Sequence, residues 1–350
     1  MKIMQKSSVK GWKKLMAAAL ASAMLVIAAG CGGGGSSSGG SSSSSSGAAA
    51  SDKVIIGQSS WIGFAPLYIA EEKGFFKNHG ADVEIQSIES KTDSKTALAA
   101  DRIQGVSTDM STQVMNAAAG LDIVQILALD TSAGGDGIVA KKEYSSIEDL
   151  KGKTVALDTT GGADYFWFQY LLHQKGMSLK DFEVQNMSAG DAGAAFVAGK
   201  VDAAITWQPW LSKAEQTEFG HTLMDSNASP GVIVDTFAMK KDYVKAHPEA
   251  AKAIVAGWYD AIEYMKTNPD DAIAIIAKRI GEKPEAVKAQ LGDVKFYDQA
   301  GNKEYFGTAD NPGEFYEITA TAAQLWKELG LVDKDVDAKS IIDASFLDAK

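Results

Sequence analysis

The run "SAGGDGIVAKKEYSSIEDLKGKTVALDTTGGADYFWFQYLL", residues 132–172, decides the architecture, because strand and helix alternation starts there for a second time. "GIVAKK" and "TVALDT" are short apolar runs bounded by turn residues, as strands are, and "GADYFWFQYLLHQKG" is long enough for a helix. Upstream, "DKVIIGQSS", "ADVEIQSIE", "GVSTD" and "DIVQILALD" read as strands, separated by helices over "APLYIAEEKGFF", "KTDSKTALAADRI" and "TQVMNAAAG". Downstream, "FEVQNM", "AAITW" and "HTLMDS" complete the second block, which ends near "SPGVIVDTF", residues 229–237. Each block predicts an α/β lobe on a mostly parallel sheet.

Beyond residue 240 the pattern turns helical. In "AAKAIVAGWYDAIEYM", Ile254, Trp258, Ile262 and Met265 fall on one face, as in a helix packed back on the first block. Trp258 and Trp326 therefore read as core. The chain then has lobe I at residues 52–135 plus 236–350 and lobe II at 136–235. Glycine-bearing crossings near Gly134 to Gly137 and Gly231 to Asp235 serve as the two hinges of a clam.

The first 30 residues stand outside this plan. "MKIMQKSSVKGWKK" carries five lysines and no acid, and "LMAAALASAMLVIAA" supplies a signal-peptide core ending at "AAGC". Cys31 is the only cysteine, so the mature chain has no disulfide, and its position resembles the lipidation site of a bacterial lipoprotein. Residues 31–51 follow as a Gly/Ser tether with a reach of about 25 Å. Without the leader, 29 basic residues face 45 acidic ones, a net charge near −16 that excludes a nucleic-acid partner.

"IAEEKGFF", "IEDLKGKTVA", "AAFVAGKVDAAITWQPW" and "HPEAAKAIV", in this order, resemble the binding proteins of ABC importers in the nitrate, sulfonate and taurine group, relatives of a thiamine-pyrimidine synthase. The resemblance implies a type II periplasmic-binding-protein fold, a monomer that closes on a small ligand, and a permease with ATPase subunits as partner. It also implies an extracytoplasmic, membrane-anchored location and no cofactor. A tethered sensor for a membrane receptor is the alternative role.

Ligand contacts are expected at the carboxyl ends of the strands. "SSWIGFAP" offers Ser60, Trp61 and Phe64; "STDMST" offers Asp109; "LDTSAGGDG" offers Asp130 and Asp136; "TWQPW" offers Trp207; "VDTF" offers Asp235. "TTGGAD" at a helix start adds Thr160, Gly161, Asp164 and Tyr165. The plain alternatives are a loop aromatic for Trp61 and capping or turn acids for the aspartates. A glycine-rich helix start suits an anion, but Asp164 would repel one there. Aromatic rings beside several carboxylates, with no lysine or arginine in these turns, point to a cationic amine, amidine or guanidine ligand. A sulfonate, nitrate or taurine-type anion, or a pyrimidine, is the alternative. The four histidines are scattered with no zinc-binding spacing, and GxSxG, P-loop and dinucleotide motifs are absent, so neither a metal nor an enzyme is expected.

Overall fold

The computed structural model describes residues 53–308 and 311–350; the leader, Cys31 and the tether lie outside the described residues. Two sheets carry the fold. In chain order the strands are β1 (Val54–Gln58), β2 (Val83–Ser87), β3 (Gly105–Asp109), β4 (Ile123–Ser132), β5 (Asp136–Lys141), β6 (Thr154–Leu157), β7 (Glu183–Asn186), β8 (Ala203–Trp207), β9 (Gly220–Asp225), β10 (Val234–Lys240) and β11 (Val294–Phe296). The first sheet runs β11-β4-β10-β3-β1-β2 and the second β7-β6-β8-β5-β9.

Both sheets are mixed, where mostly parallel pairing was expected. β1 pairs in parallel with β2 and β3, and β6 with β7 and β8. β10, however, carries the chain back from the second sheet and slots between β3 and β4, antiparallel to both. β5 lies antiparallel to β8 and β9 in the same way. The strands that cross between lobes thus enter the middle of each sheet against the prevailing direction.

Helices cover both faces of β4, so all ten of its residues are buried and the strand reads as a near-continuous apolar run. Its interior Gln125 is satisfied by Thr236, whose hydroxyl donates to Oε1 at 2.7 Å. The helix Pro248–Thr267 packs Ile254, Trp258 and Ile262 into the core, with Met265 partly buried beside them. Gly257 lets this helix approach Phe76, whose ring would lie 2.5 Å from a Cβ there.

Two features join the lobes. At the crossings, the Ser132 and Ser226 hydroxyls meet at 2.8 Å, and the Gly134 N–H donates to Ser226 Oγ. On the other side, the second-lobe helix Ala163–Gln174 leans on the first-lobe helices Met110–Ala118 and Glu314–Glu328. Tyr165 stacks on Trp326 with centroids 5.7 Å apart, and Phe166 meets the same indole edge-on at 5.7 Å. Trp326 is pinned in turn by its N–H donating to the Ser111 carbonyl at 2.9 Å. Offset stacking and edge-on packing each add about 0.5–1.5 kcal/mol beyond area burial.

Candidate functional site: an acidic cleft

A cavity of about 500 Å³ opens between the lobes at the carboxyl ends of the strands. Seven carboxylate residues line it, Glu89, Asp109, Asp136, Asp164, Asp235, Glu282 and Asp293, against one cationic side chain, Lys91.

Strand register brings the acids together. Asp235 on β10 is directly opposite Asp109 on β3 and Asp130 on β4, so three aspartates form one row across adjacent strands. Like charges in such positions destabilise a sheet. All three are buried, Asp130 completely. In the second sheet, Asp136 on β5 stands opposite Trp207 on β8. Asp164, in the first turn of the helix Ala163–Gln174, completes the cluster from the second lobe.

These aspartates are not in the same state. Asp109 caps the helix Met110–Ala118, accepting from Thr112 N at 2.9 Å, Thr112 Oγ1 at 2.7 Å and Ser111 Oγ at 2.5 Å. Burial opposes its charge, but the Lys91 ammonium 3.6 Å away and these donors outweigh burial and hold its pKa below the ordinary value. In the other four, burial outweighs such help. Burial, then repulsion from neighbouring aspartates, raises Asp164 and Asp235 well above the ordinary value, and burial raises Asp136 as well. Asp130 is pushed to about 7, chiefly by burial. Asp235 lies opposite Asp130 in the strand register, so a charge on one disfavours a charge on the other. Among the described residues, Asp130 Oδ2, Asp136 Oδ2 and Asp164 Oδ1 are buried with no hydrogen-bond partner.

Ser60, Trp61, Phe64, Asp109, Asp136, Asp164, Trp207 and Asp235 are all in the cavity wall, as the sequence led us to expect. Four expected residues are elsewhere. Asp130 lies behind the wall: its Oδ1 accepts the Trp61 indole N–H at 3.3 Å, and its Oδ2 packs where a Cβ on Gly63 would be. It positions Trp61 rather than facing the cavity. Thr160 turns back on Asp158, its hydroxyl donating to Oδ1 at 2.6 Å. Gly161, at φ +117°, leaves no room for a side chain beside Met115 of the first lobe. Tyr165 is spent on Trp326, because it is rotated about 100° around the helix from Asp164.

Lys91 is a wall residue outside the turns expected to face the cleft. It follows β2, whose strand-to-helix turn also supplies Glu89, and the same strand-end rule applied to that turn would have found both. Its ammonium reaches across to the start of the helix Ala163–Gln174, occupying the space where a Gly162 side chain would sit. The acids around it, Asp109 foremost, raise its pKa despite the opposing effect of burial. Among the described residues no group of three or more histidine, cysteine or acidic residues is placed to hold a metal.

Residues 61–272, more than half of the chain, match the family described as NMT1/THI5 like. The chain belongs to that family. Among relatives of this NMT1/THI5-like chain, the putative binding protein YtlA of Bacillus subtilis is 27% identical over 213 residues, which are 59% of this chain and 64% of the relative. The taurine-binding periplasmic protein of Escherichia coli is 28% identical over 211 residues, with the same shares. The chain thus spans just under two thirds of the length of these curated relatives. The crystal structure of the periplasmic aliphatic sulphonate binding protein SsuA from Escherichia coli superposes with a TM-score of 0.70 at 20% identity, covering 83% of this chain and 97% of that one. That likeness establishes the two-lobed type II periplasmic-binding-protein fold for this NMT1/THI5-like chain.

Proposed function

We propose that this chain is the extracytoplasmic solute-binding component of an ABC-type importer, which captures a small molecule between its lobes and presents the closed form to a permease with ATPase subunits. The clam of two sheets, the cavity at the strand ends and relatives named as binding proteins support this reading. The charged-then-apolar leader ending at Cys31 supports a lipid anchor on the outer face of a membrane. The role is binding, without a catalytic step.

The ligand presents a cationic nitrogen. One observation carries this: Asp109, Asp136, Asp164 and Asp235, all buried, line a cleft whose one cationic side chain is Lys91. Leaving an unpaired carboxylate buried costs of the order of several kcal/mol, and a cation offsets that cost. A second reading is a sulfonate, nitrate or taurine-type anion. The comparisons back it better than the cationic one, since relatives are named for taurine and aliphatic sulfonates. Lys91 beside a helix start offers such an anion a positive place. Taurine carries an ammonium as well as a sulfonate, so a solute of that kind satisfies both ends of the cleft.

Thermal denaturation of the protein with ethylamine, ethanesulfonate, nitrate and taurine separates the readings. A ligand at about 100 times its Kd adds roughly 2.7 kcal/mol of stability. Stabilisation by ethylamine or taurine but not by ethanesulfonate or nitrate is the expected result. A shift with ethanesulfonate and nitrate alone would overturn the cationic reading.

A further inference from the structure

The two lobes face the cavity with matched equipment. Asp235 stands on the first sheet opposite Asp130, which holds the Trp61 indole, and the second lobe supplies Asp136 and Asp164, with Trp207 beside Asp136 across the strand pair. Each jaw therefore pairs carboxyl groups with one indole. Asp136 Oδ2, Asp164 Oδ1 and the buried Ser107 Oγ lie in wall residues and have no partner among the described residues. Trp207 is 38% exposed, a large indole surface left uncovered at the cleft.

An ammonium has three N–H donors in a tetrahedral spread and no flat face. A guanidinium or amidinium has donors radiating in one plane, spreads its charge over that plane, stacks on aromatic rings and is weakly hydrated. Such a cation can donate to the acids of both jaws while its faces meet the indoles. Resting on the cationic reading above, we infer that the ligand is a small planar, delocalised nitrogen cation, a guanidinium or amidinium compound, held edge-on by Asp136, Asp164 and Asp235 and face-on by Trp61 and Trp207.

Isothermal titration of the full chain with methylguanidinium, acetamidinium, methylammonium, tetramethylammonium and ethanesulfonate at millimolar concentrations tests this. The expected result is binding of methylguanidinium or acetamidinium at least tenfold tighter than of either ammonium. Trp207→Leu, with its melting temperature unchanged, should lower methylguanidinium affinity at least tenfold and leave methylammonium within threefold. Equal or tighter binding of methylammonium or tetramethylammonium would overturn the planar-cation inference and leave the cationic reading standing. Binding of ethanesulfonate alone, or of none of the cations, would overturn both.

Discussion

Asp235 sits where a sheet would ordinarily place an apolar residue, flanked by Asp109 and Asp130 on the neighbouring strands. Ligand-free, that arrangement costs stability, and the cost depends on pH. Burial and the adjacent carboxylates raise the pKa of Asp235, and burial raises that of Asp130 to about 7, so both prefer the protonated form in the folded state. Their contribution is full below the unfolded value near 4 and is lost as pH rises toward 7, at about 1.4 kcal/mol per pH unit for each proton retained. Removing one charge should relieve this. Asp235→Asn is expected to raise the melting temperature of the ligand-free protein by about 2 °C near neutral pH, from roughly 1 kcal/mol. The gain over wild type should shrink toward pH 5 in calorimetry. A gain that does not vary with pH would show that the row does not store charge repulsion.

At the scale of elements, strand ends decided what the sequence could reveal. Asp109, Asp136, Trp207 and Asp235 were legible because each ends or begins a strand that reads clearly in the chain, and such ends face the cleft. Lys91 opens the helix beyond the turn after β2 and so stands apart from the strand ends, and Tyr165 falls on a helix whose phase one turn does not fix. Asp130 shares the row, yet Trp61 covers it, and side-chain cover is a tertiary fact. The mixed pairing was also hidden: nothing in "VIVDTF" says that β10 threads between β3 and β4. The helix start at residues 161–162 gives a direct test of the local reading. Gly161 has φ +117° and abuts Met115, so Gly161→Ala should cost about 1–3 kcal/mol in urea denaturation. Asp109→Ala removes a cap with two bonds to Thr112, a loss of about 0.5–2 kcal/mol by the same measurement.

For the whole molecule, the lobes do not meet only through their crossing strands. Tyr165 and Phe166 of one lobe grip Trp326 of the other, opposite the hinge serines Ser132 and Ser226. Any movement of the lobes apart on that side therefore breaks these ring contacts. Solute binding gated by that movement is expected to show an observed association rate in stopped-flow mixing that levels off as ligand concentration rises instead of climbing linearly. Trp326→Leu should raise the plateau severalfold and speed release along with capture. The clasp is thus expected to act on dwell time rather than on affinity.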